Sequence, residues 1–118
     1  MDLEYLRNYC LKKKGVTEGF PFDKDTLVYK VMSKIFMLTG FEVPLQMNLK
    51  CEPELAIELR ERYEAVQPGY HMNKKHWNTI VVDGTIPQKE ILRMINHSYD
   101  MVVKGLKVKE REKLRKIR

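Results

Sequence analysis

The side chains best suited to chemistry lie in one short segment, residues 70–78. It combines two histidines, two lysines, two asparagines, a tyrosine and the single tryptophan of the chain. Lysine can neutralise a phosphate, asparagine can hydrogen-bond the edge of an adenine, and an aromatic ring can stack on a base. This combination predicts a surface that contacts nucleic acid, formed by His71, Asn73, Lys74, Lys75, His76, Trp77 and Asn78.

A second segment could extend this surface. Apolar and polar residues alternate strictly over residues 45–50. A period of two predicts a strand with one buried face and one polar face. Asn48 and Lys50 lie on the polar face and are therefore candidates for the same surface.

Two other interpretations of the polar segment remain open. It could belong to a module that binds a small molecule or a protein, through Asn48, Lys50, His71, Asn73 and His76. A concave, partly apolar pocket beside Trp77 would favour that alternative. The segment could also be a solvated loop that Trp77 fixes to the core, since loops are polar by default.

Metal binding and catalysis have weaker support. His71 and His76 are five residues apart and have no acidic residue or cysteine between them, which does not fit a zinc site. Cys51, just before a predicted helix, could act as a nucleophile with His71 or His76 as its base, but no local motif supports this. His97 is expected to make a structural hydrogen bond. The sequence therefore predicts no metal, no cofactor and no enzymatic activity.

The length and charge of the chain limit the number of domains and show where its positive charge lies. A chain of 118 residues fits one domain with a single core. The net charge is +6, and residues 107–118 carry seven basic and two acidic residues. Five of the six net charges therefore lie in this tail, and the remainder of the chain is nearly neutral. The tail is expected either to extend the last helix or to remain in solvent.

The cysteines and the hydropathy pattern predict a cytoplasmic protein. Cys10 and Cys51 are far apart and form no CxxC pair, which is typical of reduced thiols. No apolar run approaches the roughly 20 residues that span a bilayer. We therefore expect no membrane insertion and no secretion.

Local patterns predict helices at the beginning, middle and end of the chain, with strands between them. The first helix is expected to begin at Asp2 and to end at Gly15. The strands are expected to be mostly antiparallel, because they are joined by short connections. The remaining predicted elements are a hairpin of Thr26–Met32 with Ile35–Leu38, a helix from Pro53, a strand over Trp77–Val82 and a long helix from Pro87.

Several stretches of the sequence are similar to the MmcQ/YjbR family of small bacterial proteins. The resemblance covers about residues 1–106, which we take as one domain followed by the basic tail of residues 107–118. The stretches that carry it are EGFPF at 18–22, TLVYKV at 26–31, NLKCEPE at 48–54, PGYHMNKKHWNT at 68–79 and HSYD at 97–100.

The resemblance implies an α+β fold, with helices packed on a curved antiparallel sheet of five or six strands. Members of the family are described as DNA-binding proteins because their paired hairpins form a double wing. In this chain the wings would be the hairpin that ends at Ser33–Lys34 and the segment around His71–His76. Lys34, Lys74 and Lys75 would then contact the phosphates of double-stranded DNA.

Overall fold

The computed structural model describes residues 1–69 and 72–117, which form four helices and six strands. The helices are α1 (Leu3–Leu11), α2 (Pro53–Arg62), α3 (Gln88–Lys104) and α4 (Val108–Lys116). The strands are β1 (Val16–Gly19), β2 (Leu27–Val31), β3 (Lys34–Thr39), β4 (Leu45–Lys50), β5 (Val66–Pro68) and β6 (Trp77–Val82). None of the helices in these two ranges is long and apolar enough to cross a membrane.

The six strands form a single antiparallel sheet in the order β1-β2-β3-β4-β6-β5. The β2–β3 and β5–β6 hairpins are joined through β4, which pairs with β3 on one side and with β6 on the other. The predicted fold class is therefore confirmed, with helices before, within and after the strand region.

The core lies between the sheet and the long helix α3. Ile91, Ile95 and Val102 recur at helical spacing and are buried. Ser98 on the same stripe is also fully buried, and its hydroxyl donates to the Phe36 carbonyl at 2.6 Å while it accepts from the Lys50 N–H at 2.9 Å. This side chain therefore fixes α3 to β3 and β4 without leaving a buried polar group unpaired.

The predicted elements agree with the structure except at their ends. The Asp2 carboxylate caps α1 by accepting from the Tyr5 N–H at 2.9 Å, as expected. The helix ends at Leu11, however, and Gly15 reaches its left-handed conformation, with φ of 72°, only after an intervening turn. Strands β1 and β5 were missed because they are short and contain little of the alternating apolar pattern that identifies a strand.

The basic tail is a separate helix, α4, that packs on the domain. Leu114 is 7% exposed, and the Ser33 hydroxyl donates to the Glu110 carboxylate at 2.5 Å. Gly15 lies directly beneath Leu114, since a Cβ on Gly15 would be 2.6 Å from its Cδ1 atom. Residues 105–107 break the helix between α3 and α4, so the tail folds back over the β2–β3 turn instead of extending α3.

We expect Gly15→Ala to destabilise the protein by about 1–3 kcal/mol. The new methyl group would meet Leu114, and alanine is strained at a φ of 72°. Urea denaturation measures the change. Gly19→Ala is the matched control, because a Cβ there meets nothing within 4 Å and should change stability by less than about 0.5 kcal/mol. Equal stability of the two variants would contradict the described packing of α4.

Candidate functional site

Both predicted hairpin tips lie at the same end of the sheet. The register pairs Lys50 at the end of β4 with Trp77 at the start of β6. Strands β2 and β3 turn at Met32–Ser33, beyond the Val31–Lys34 pair, on the same side. Gly69 and residues 72–76 also lie there, because they follow Pro68 and precede Trp77.

The connecting segments at the two ends of the sheet carry opposite charge. At the end just defined, the described connections hold six lysines and one acidic residue: Lys12, Lys13, Lys14, Lys74, Lys75, Lys107 and Glu52. At the opposite end they hold six acidic residues and one lysine: Asp2, Asp23, Asp25, Glu42, Glu64, Asp83 and Lys24. Lys34, Lys50 and Lys104 extend the first group, which we call the basic end.

Helix α4 adds further cations to the basic end. Its contacts with Gly15 and Ser33 place it over the β2–β3 turn. Lys109, Lys113 and Lys116 recur at helical spacing and are exposed, so they share one solvent-facing side of the helix. The positive charge of the tail is therefore held at a fixed position, beside the β2–β3 turn that precedes Lys34.

The loop before β6 has a defined conformation over residues 72–76. The Asn73 side-chain oxygen accepts from the Lys75 N–H at 2.9 Å, and the Asn73 carbonyl accepts from the N–H groups of His76 and Trp77. This arrangement is an Asx turn, which leaves the Lys75 side chain exposed to solvent. Lys74 is also exposed.

Two residues outside the loop hold it in place. The guanidinium group of Arg60 on α2 donates to the Lys74 carbonyl, and its Nε donates to the Asn78 side-chain oxygen at 2.7 Å. The Cys51 N–H donates to the His76 carbonyl at 2.7 Å. The loop is therefore tied to α2 and to the end of β4.

The remaining predicted site residues fall on different surfaces. Lys34 is exposed at the beginning of β3. Asn48 accepts from the Thr79 hydroxyl at 2.7 Å on the face opposite the helices, and Lys50 and Trp77 form a half-buried pair on that face. His71 lies outside the described residues.

Asn78 differs from the other predicted residues, because its side chain faces the core. It is 2% exposed, and its amide donates to the Ala56 carbonyl at 3.3 Å and accepts from Arg60. An amide with both of its ends bonded inside the protein is not available to read a base edge. Asn78 therefore connects β6 to α2 and lies outside the surface that the loop presents.

A cavity of about 230 Å³ lies on the helical side of the sheet, between α2 and α3. Five apolar side chains line it: Leu49, Leu55, Leu59, Ile80 and Met94. The polar residues that line it are Lys50, Cys51, Arg62, Asn78, Glu90, Arg93 and His97. The cavity is concave and partly apolar, but Trp77 does not line it, so it is not the pocket beside Trp77 that the small-molecule alternative expects. It shares only Lys50 and Asn78 with the predicted surface.

Cys51 and His97 both line this cavity, where Cys51 is buried and His97 is hydrogen-bonded to the backbone. Cys51 is 4% exposed, and burial raises the pKa of its thiol to about 11. The His97 Nε2 atom accepts from the Glu52 N–H at 3.1 Å, which confirms the expected structural hydrogen bond at the beginning of α2. Over residues 1–69 and 72–117, no group of three or more metal-ligating side chains comes together.

The sequence and the fold identify the family. A family model described as YjbR matches residues 11–101. The chain belongs to the YjbR family. It is 33% identical over 115 residues to the uncharacterized protein YjbR of Escherichia coli (strain K12), with 97% of this chain and 98% of the relative covered. It is 36% identical over 114 residues to the uncharacterized protein YbdF of Escherichia coli O157:H7, with 95% and 93% covered.

Solved structures of similar proteins share the fold of this YjbR-family chain. The crystal structure of the Deinococcus radiodurans protein DR2400, with the domain DUF419, has a TM-score of 0.88 and 40% identity and covers 95% of this chain and 86% of that one. A crystal structure of a protein from Pseudomonas syringae has a TM-score of 0.74 and 28% identity, with 86% and 98% covered. The alignment with YjbR of Escherichia coli (strain K12) covers 97% of this chain. The few residues that it leaves out are fewer than the nine of α4, so the alignment extends into the tail.

Two features of the site were missed in the sequence. Arg60 reads as an ordinary helix-surface cation, and only the fold brings it to Asn78 and Lys74. The segregation of charge between the two ends was also missed, because net charge does not reveal it. Its sequence signal is the run Lys12–Lys14 at one end of α1 and Asp2 at the other.

We expect both thiols to react slowly with iodoacetamide at pH 8. The thiolate is the reactive form, and a pKa of about 11 lowers the thiolate fraction of Cys51 about a hundredfold below that of an ordinary thiol. Burial raises the pKa of Cys10 to about 12, so Cys10 should react more slowly still. Mass spectrometry of the labelled peptides measures both rates between pH 7 and pH 11.

The same shifts predict a loss of stability at high pH. Both thiols ionise more easily in the unfolded chain, where the ordinary pKa is 9.0. Their contribution to the free energy of unfolding is therefore complete below about pH 8 and is lost as the pH rises towards 11 and 12.

The control for the iodoacetamide experiment is labelling in urea, since both thiols should then react at ordinary rates. Fast labelling of folded Cys51 near pH 7 would instead indicate an activated nucleophile.

Proposed function

We propose that this protein binds double-stranded DNA through its basic end and has no catalytic activity. The observation that carries the proposal is the separation of charge between the two ends of the sheet. Six lysines and one acidic residue occupy the connections at the basic end, counted over the described residues, and the ratio is reversed at the other end. A near-neutral body can therefore attract phosphates at one end, because a clustered charge creates a local field that the net charge hides.

The positions of the two hairpins support a duplex as the partner. Three strand spacings separate the middle of the β2–β3 hairpin from the middle of β5–β6. At about 4.8 Å per spacing, the two tips lie about 14 Å apart, which is close to the roughly 12 Å width of the DNA major groove. Lysines at the two tips can therefore contact phosphates on opposite sides of one groove.

The proposed roles follow from exposure and bonding. Lys34 and Lys75 are exposed near the two tips and contact phosphates, with Lys50 between them. Asn73 holds the loop through its side-chain oxygen and keeps its NH₂ group for a DNA acceptor. Trp77 is half-buried and supports the loop from beneath.

The proposal assigns no reaction to Cys51 or His97. A thiol with a pKa of about 11 is protonated at neutral pH, and the Nε2 atom of His97 already accepts a backbone N–H. Neither group is therefore poised as a nucleophile or a base. Two free, buried cysteines are also in keeping with a cytoplasmic location, which is part of the proposal.

The test is fluorescence anisotropy of a labelled DNA duplex, titrated at several salt concentrations. Lys34→Gln/Lys75→Gln should weaken binding and reduce the slope of log K against log salt by about two, since each phosphate contact contributes about one. The triple variant Lys109→Gln/Lys113→Gln/Lys116→Gln measures how much α4 contributes to DNA binding, while Leu114 and the packing of α4 stay intact.

Lys24→Gln/Lys89→Gln is the control for charge, because Lys24 lies at the acidic end and Lys89 in the first turn of α3. It removes the same net charge as the hairpin variant and should leave the slope unchanged. Equal losses in the two double variants would mean nonspecific attraction and would refute a defined site. Absence of binding by the unmodified protein at low salt would refute DNA binding altogether.

A further inference from the structure

We propose that the cavity between α2 and α3 binds a small organic anion with a flat apolar body, such as an aromatic carboxylate. The inference is independent of DNA binding, because the cavity opens on the helical side of the sheet. Leu49 and Ile80 of the sheet, Leu55 and Leu59 of α2 and Met94 of α3 supply its apolar surface.

The size of the cavity limits the ligand. A volume of about 230 Å³ exceeds the roughly 150 Å³ of an engineered cavity that holds benzene. It is too small for the side chains of a docked helix, which would need a groove along several turns. One ring with substituents, or two fused rings, fits this space.

The charges at the opening determine the sign of the ligand. Arg62 and Arg93 line the cavity, with Glu90 as the only acidic side chain among its lining residues. Lys50 also lines it, but the alternation along β4 turns the Lys50 side chain to the other face of the sheet. The Arg93 side chain is 70% exposed and pairs with Glu90 at 3.0 Å. That contact uses one of the five N–H donors of the guanidinium group, so others can bind a carboxylate.

The buried amide of the cavity is already hydrogen-bonded, because Asn78 bonds to Arg60 and to the Ala56 carbonyl. His97 is half-buried, and its Nε2 atom accepts from the Glu52 N–H. An apolar ring can therefore enter without leaving the Asn78 amide unpaired. The cations at the opening are the groups that remain to select the ligand, which favours an apolar body with one anionic group.

The experiment is a titration of the full-length protein with 2-naphthoate, followed by amide NMR shifts and by calorimetry. We expect a dissociation constant of about 1 mM or tighter, with shifts confined to residues of α2, α3, β4 and β6. Leu55→Trp fills the cavity and should weaken binding at least tenfold. Ile57→Trp is the matched control, because Ile57 lies on the same helix, is 53% exposed and does not line the cavity.

The charge of the ligand is tested separately by a substitution at the surface. Arg93→Gln should weaken 2-naphthoate binding about threefold to tenfold. Lys89→Gln, on the same helix and outside the lining, should not. The neutral analogue 2-naphthylmethanol should bind the unmodified protein about as weakly as 2-naphthoate binds Arg93→Gln.

Three results would overturn the proposal. The first is no binding of 2-naphthoate at millimolar concentration, and the second is equal binding by Leu55→Trp and Ile57→Trp. The third is equal affinity for the acid and the alcohol, which would reject the anionic part of the ligand.

Discussion

The antiparallel pairing of β4 with β6 is the interaction on which the remainder of the structure depends. Six residue pairs, from Leu45–Val82 to Lys50–Trp77, join β4 to β6, and β4 also pairs with β3, so the β2–β3 and β5–β6 hairpins belong to one sheet. The same register turns Met47, Leu49 and Ile80 towards the helices and Asn48 and Thr79 away from them. A shift by one residue would exchange these faces and bury polar side chains, so the apolar core fixes the register.

Arg60 links this strand pair to the surface loop of residues 72–76. It binds the side chain of Asn78 in β6 and the backbone of Lys74 in the loop. Removing Arg60 would leave the Asn78 side-chain oxygen buried with no donor from α2, at a cost of about 1–3 kcal/mol. The sheet, the loop at Lys74 and α2 are therefore parts of one hydrogen-bonded unit.

Much of the fold could be predicted from local patterns. The alternation over residues 45–50, the Asp2 cap and the apolar stripe of α3 are all signals that a single element carries. The orientation of Asn78 could not be predicted, because Trp77, Asn78 and Thr79 are each compatible with either face of a strand. The location of α4 also required the fold, since only the contacts of Leu114 and Glu110 show that the tail turns back. Of the candidate site, the loop and its lysines were predicted, whereas the cavity arises from residues spread over four elements.

The separation of charge gives the molecule a dipole moment along its strands. A dipole experiences a torque in a field, so a polyanion would turn the protein until its lysine-bearing connections face it. In physiological salt this effect acts only within about one Debye length, roughly 8 Å, so orientation happens near contact and not at long range. At low ionic strength the net charge of +6 makes neighbouring molecules repel one another, and this repulsion is weakest when the oppositely charged ends face each other head to tail.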